Sequence, residues 1–255
     1  MEGFLNRGTL PEILEHSRDA GVSRLITIGT DPEDWKVNHD LSTKFSEEIH
    51  YTVGLHPNHV DGSWENYLAD LSSYFTQEPK PVAVGEVGLD YFRLPKEERK
   101  ALPMKSNQRA AFRHQLALAK ELGLPVVVHC RSAFADCVAE IDDSGVEWSK
   151  VVFHCFADGP NEMRQLMERG GRGSFTGIVT FGNAENVREA ALLQGLEKLM
   201  LETDSPYLAP IPFRGKSNEP AYLPHIGAYL SKVFEVEEEK LAGITTRNTL
   251  DFYCL

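Results

Sequence analysis

The chain has 255 residues, 42% of them hydrophobic and 25% charged, so it carries enough apolar material for a large core and does not have the composition of a disordered chain. Its formal net charge of −12 excludes broad adhesion to polyanions or anionic membranes, yet leaves room for a hydrolase that grips a phosphodiester through metal ions and a few local cations. No apolar stretch approaches the roughly 18 residues of a membrane span, and the opening MEGFLNRGTL lacks the basic start and apolar middle of a signal peptide, so a cytoplasmic protein is expected.

Helical and strand patterns alternate along the chain without a long linker, repeat or low-complexity stretch, and one domain over residues 1–255 is expected. Thr9-Leu10-Pro11-Glu12 has the form of a capping box, and Leu10, Ile13 and Leu14 begin an apolar stripe that Gly21 closes. A β-rich run at 23–30 follows, then an amphipathic stretch at 31–47. Strand and helix then repeat as couplets. The strands end at Pro57, Asp90, Cys130, Phe156, Phe181 and Pro206, and the helices span 63–75, 106–122, 132–143, 159–169, 184–193 and 222–234, with a last one at 237–253.

Continuous apolar runs such as PVVVHC suit strands of a parallel sheet covered on both faces. The pattern yields seven strands, with a helix ahead of the first, whereas a closed barrel of this kind has eight. The expected fold is therefore α/β: a TIM-type (β/α)8 barrel lacking its first strand, through a late start in the gene model or a real loss, the alternative being an eighth strand that the pattern does not reveal elsewhere. Strands near Ile26 and Leu201 should then flank a gap or seam.

Several strands end in a histidine or a carboxylate: His56, Glu86, His129, His154 and Asp204. Parallel strands closing around an axis aim such groups at one point, and convergent imidazoles and carboxylates are ligands for a metal. Glu86, in GEVGLDYF, needs a positive partner on an otherwise apolar strand, and either a metal or an arginine serves. A lone His129 or His154 would read as a core histidine; two on successive strands at one register form, with Glu86, a three-ligand set that leaves room for water. Asp204, in LETDSPYLAP, shares a strand face with Glu202 and either ligates a metal or caps a turn before Pro206.

His56, in GLHP, could orient a phosphate or carboxylate oxygen, while His59 reads as a solvated loop residue. Arg214 and Lys216, in the loop PFRGKSNEP, suit phosphate binding or form an ordinary surface charge pair. Four cysteines, Cys130, Cys137, Cys155 and Cys254, lack the spacing of a disulfide framework or zinc ribbon. Alternation sends Cys130 and Cys155 to the face opposite His129 and His154, where they read as buried, unreactive thiols.

GLHP at Gly54, GEVGLDYF at Gly85, the strand-end His129 and His154, ETDSPYLAP at Glu202, RGKSNEP at Arg214 and RNTLDFY at Arg247 occur in the order found in one family. The chain resembles the TatD family of metal-dependent deoxyribonucleases, within the amidohydrolase-like barrels, over nearly its whole length. The resemblance implies two divalent ions (magnesium, manganese or zinc), with Glu86 bridging, His129 and His154 holding one and Asp204 the other. It implies phosphodiester hydrolysis in DNA, often as a 3′-to-5′ exonuclease, by metal-activated water, with Asp204 as proton acceptor; RNA is a further candidate substrate.

Two features depart from the family. Many members carry a His-x-His pair on the first strand, whereas the first histidine here is His16, inside a helix, which leaves Glu86 and Asp204 alone to hold the second ion. Gly182 stands where many relatives have lysine. The resulting expectation is a monomeric nuclease with one or two metals. A small-molecule amidohydrolase and a metal-binding protein of weakened activity are the alternatives.

Overall fold

The computed structural model describes residues 2–6 and 8–255. Seven strands follow one another in the sheet in chain order: β1 (Leu25–Thr27), β2 (Ile49–Val53), β3 (Ala83–Asp90), β4 (Val126–Arg131), β5 (Val151–Phe153), β6 (Arg172–Phe175) and β7 (Met200–Leu201). The pairs β2–β3, β3–β4 and β6–β7 are parallel. This is the (β/α) barrel class with seven strands among the described residues, and β1 and β7 stand at the two ends of the strand order. Ten α-helices are assigned there: α1 (Glu2–Asn6), α2 (Leu10–Asp19), α3 (Pro32–Lys44), α4 (Trp64–Leu68), α5 (Glu98–Leu122), α6 (Phe134–Ser144), α7 (Pro160–Arg169), α8 (Glu185–Gln194), α9 (Leu223–Val233) and α10 (Glu238–Tyr253). No helix of the described residues is long and apolar enough to cross a membrane.

Contacts divide the chain into two compact units, one of Ile26–Val152 and one of Met1–Leu25 with Phe153–Leu255. In the first, β3 is buried along its whole length and packs with Tyr51, Phe112, Leu116, Val126 and Val128, all at most 1% exposed. The indole of Trp35, also buried, donates to the Gly54 carbonyl and ties α3 to the end of β2. In the second unit Phe153, Met163, Phe175, Ile226, Leu230 and Leu241 are buried. Burial of this kind supplies the main driving force for each unit.

Several boundaries differ from the sequence pattern for physical reasons. Thr9 precedes α2 without capping it, because its hydroxyl donates instead to the Phe4 carbonyl. The true capping box opens α3, where Asp31 accepts from the Glu33 and Asp34 amides and Asp34 answers the Asp31 amide. Helix α5 starts at Glu98 rather than 106 and runs through Pro103; that residue is exposed, so the carbonyl its missing N–H leaves open can meet water. The stretch 63–75 is one short helix, α4, followed by a 3₁₀ segment at Leu71–Thr76. The strand expected to reach Phe181 stops at Phe175, and Gly177–Thr180 turns as a 3₁₀ helix.

Candidate metal centre

In the unit Ile26–Val152, His56, Glu86 and His129 each offer one donor atom, and these atoms lie within 4.8 Å of one another. Glu86 sits at an irregularity of β3. Val84 pairs with Val126 but Val87 with Val128, so β3 carries one more residue than β4 between those points, and Gly85 and Glu86 occupy the bulge. A bulge re-aims the side chain it carries. The Glu86 amide donates to the Gly29 carbonyl at 2.8 Å, which anchors the bulged backbone. Farther along, Gly88 has φ +137°, and a Cβ there would lie 2.1 Å from the His129 carbonyl oxygen. Only glycine lets β3 and β4 approach this closely beside His129.

His129 lies between two carboxylates. Its Nδ1 is 2.8 Å from Glu86 Oε1 and its Nε2 is 3.4 Å from Asp90 Oδ2. A neutral imidazole carries one ring proton, so if that proton faces Asp90, two lone pairs meet at 2.8 Å on the Glu86 side. If it sits on Nδ1 it is donated to Glu86 and nothing is donated to Asp90, so one ring proton serves only one of the two carboxylates, whereas a cation or a second proton serves both. This donor arrangement fits a divalent metal held by Glu86 and His129, with Asp90 as the carboxylate behind the imidazole.

Burial pushes the Asp90 carboxyl up, but the His129 ring, the Arg93 amide and the Arg131 charge together outweigh it and hold the group below its ordinary value. Asp90 Oδ1 also accepts from the amides of Phe92 and Arg93, at 3.0 and 3.3 Å.

His56 plays a different part in the cluster. Its Nδ1 accepts from the Asn58 amide at 3.1 Å, which assigns the ring proton to Nε2, 3.3 Å from Glu86 Oε1. A proton on Nε2 makes this imidazole a donor toward an oxygen rather than a bare ligand. Its ring centroid is 4.3 Å from that of His129.

Two buried glutamines of α5 hold the strand ends in place. Gln115 bonds both the amide and the carbonyl of Leu55, and Gln108 bonds the Asp90 amide and carbonyl and the Pro57 carbonyl. Seven residues apart, they share one face of the helix.

In the other unit, His154 Nδ1 lies 3.5 Å from Glu202 Oε1, which also accepts from the Cys155 amide and, at 3.0 Å, from the Ser174 hydroxyl. β7 ends at Leu201, so Glu202 and Asp204 do not share a strand face as the alternation argument assumed; Asp204 has φ +53° on a turned loop. Asn218, fully buried, holds that loop: its amide group donates to the Thr203 and Tyr207 carbonyls, and its backbone N–H to the Pro206 carbonyl. Burial, followed by the Asp204 charge, pushes the Cys155 thiol up to about 12, so it stays protonated and unreactive. Arg214 lies 4.1 Å over the Phe181 ring, and Lys216 Nζ 5.8 Å from that of Phe213.

In the sequence Asp90 stood only as a strand end, and Gln108 and Gln115 had no role. Asp90 stands four residues after Glu86 at the end of the same strand, and that spacing was its signal. The glutamines showed themselves only as polar residues at a core spacing of α5.

The family model described as TatD related DNase matches residues 4–254. The uncharacterized metal-dependent hydrolase YabD of Bacillus subtilis is 34% identical over 241 residues, covering 94% of this chain and 90% of its own. A protein of Pantoea vagans named 3′-5′ ssDNA/RNA exonuclease TatD is 32% identical over 220 residues, covering 84% of this chain and 82% of its own. Among solved structures, YJJV, a TatD homologue from Escherichia coli K12, superposes with a TM-score of 0.88 at 24% identity, covering 97% of this chain and 93% of its own.

Proposed function

The chain belongs to the TatD-related DNase family and is a metal-dependent hydrolase, and from that premise we propose that it cleaves phosphodiester bonds in DNA, from the 3′ end, with RNA as a second substrate. The observation that carries the reading is His129 set between Glu86 and Asp90, an arrangement that calls for a cation. The exonuclease named among the relatives supports the choice of nucleic acid.

Glu86 and His129 would hold the ion, and the motifs at His154 and Asp204 in the other unit carry the ligand roles that the family resemblance implies. A divalent ion (magnesium, manganese or zinc) supplies Lewis-acid polarisation of the phosphodiester and lowers the pKa of water. Asp204 accepts the proton lost by the attacking water, and Glu86 fixes the ligand set. His56, with its proton on Nε2, donates to a non-bridging phosphate oxygen. Arg214 and Lys216 offset the charge of the neighbouring phosphate.

The test is hydrolysis of a 5′-labelled single-stranded oligonucleotide with Mg²⁺, Mn²⁺ or Zn²⁺, alongside metal analysis. Native protein should shorten the strand from its 3′ end, and Glu86→Ala should lose both cleavage and bound metal. Metal-loaded protein that leaves DNA and RNA intact would overturn the substrate and favour a small-molecule amide or ester.

A further inference from the structure

Phe92 is 63% exposed, although it follows a strand whose residues are all buried. One face of its ring is taken by the Arg131 guanidinium, 3.9 Å from the centroid. The sheet register creates this pair: Asp90 aligns with Arg131, and the Tyr91 amide donates to the Arg131 carbonyl at 2.9 Å. The loop is then pinned by Asp90 Oδ1, which accepts from the Phe92 and Arg93 amides, while Oδ2 of the same carboxylate faces His129. A single buried side chain thus links a candidate metal ligand to an exposed aromatic ring.

The charge around the ring runs against that of the protein. Residues 91–105 hold five basic side chains and two acidic ones in a chain of net charge −12. A cleft of about 300 Å³ opens in this segment, lined by Lys96 and Lys105 against one acid, Glu98, together with Tyr91, Leu94 and Leu102, and Lys105 Nζ lies 4.4 Å from the Tyr91 ring. An aromatic ring backed by a guanidinium, with a local excess of cations, matches a flat base on a polyanionic strand.

We propose that Phe92 and Arg131 form a stacking subsite for a base of single-stranded nucleic acid beside the His56–Glu86–His129 cluster. The inference rests on the phosphodiester reading above and adds which residues take the polymer. Phe92 contacts the base, and Arg131 supplies charge to the phosphates and holds the ring.

The experiment is fluorescence anisotropy of metal-loaded protein with a hydrolysis-resistant phosphorothioate oligothymidylate and with an abasic strand of equal phosphate number. Phe92→Ala should weaken binding of the base-bearing strand about 5- to 150-fold, erasing its advantage over the abasic one. Arg131→Gln should weaken both strands and reduce the slope of log K against log salt by about 0.7. Leu192→Ala, an exposed apolar side chain of α8, should change neither, and circular dichroism checks that each variant is folded. If native protein cleaves DNA while Phe92→Ala keeps the full advantage of the bases, the subsite is wrong and the nuclease reading stands. If native protein neither binds nor cleaves any strand, both fall.

Discussion

The imidazole of His129 has the buried carboxylate of Asp90 3.4 Å behind its Nε2, so its other nitrogen, Nδ1, is the one offered to Glu86 and to a cation. Glu86 and Asp90 bracket the ring, and with a metal held by Glu86 and His129, Asp90 would act as a positioning residue without being a ligand itself. Asp90→Asn should lower metal affinity by about 10- to 100-fold. Isothermal titration with Mn²⁺ or Zn²⁺ reads the loss directly, and an unchanged affinity would remove Asp90 from the centre.

His56 is separable from the ligands by its tautomer. With Nδ1 occupied by the Asn58 amide, Nε2 carries the proton and serves an oxygen, so His56→Asn should retain bound metal while KM for the oligonucleotide rises. Elemental analysis of the purified variant decides the matter. Loss of metal in proportion to loss of activity would make His56 a ligand after all.

The fold and much of the site were legible because the chemistry that needs these residues also breaks local patterns. A histidine or carboxylate closing a β-branched run is visible in PVVVHC and in GEVG, and the couplet of strand and helix is visible throughout. The bulge that aims Glu86 was not, since it depends on how β3 pairs with β4. The face that Glu202 and Asp204 were expected to share does not exist for the related reason that β7 is two residues long and the chain turns immediately afterwards, so period-two alternation no longer applies. Phe181 was given to a strand because GIVTF is β-rich, yet Gly177 packs so tightly against the Leu208 carbonyl that a Cβ would stand 2.2 Å from it, and the segment coils instead.

Asn218 should prove a structural keystone of the Asp204 loop. Replacing this fully buried side chain by alanine leaves the Thr203 and Tyr207 carbonyls without their donor. A buried carbonyl left so costs about 1–3 kcal/mol, and with Tyr207 exposed to water the loss at Thr203 dominates, so Asn218→Ala should destabilise the protein by about 1–3 kcal/mol. Urea denaturation with an unchanged m-value would measure it.

Asp34 gives a pH dependence with a definite sign. Burial raises its carboxyl to about 6 from the ordinary 3.8, against the pull of the Thr30 hydroxyl and amide that donate to it. The folded protein therefore binds this proton more tightly than the unfolded chain. The stability it contributes is complete below about pH 4 and is lost as pH rises through about 6, a change of about 3 kcal/mol for a shift of about two units. Comparing native protein with Asp34→Asn from pH 4 to pH 7, the native curve should fall relative to the variant. Parallel curves, or a side-chain carbon resonance titrating near 4, would contradict it.

The contact at Gly88, where a methyl group would intrude on the His129 carbonyl, separates what can be altered here from what cannot. Engineers wishing to install a different ion, or to redirect the reaction to another bond, can exchange the groups at His56 and Glu86 while keeping Asp90, whose carboxylate also pins the loop at Phe92 and Arg93. A randomised library that touches Gly88 would fill with unfolded members, so that codon is best held constant while its neighbours are diversified.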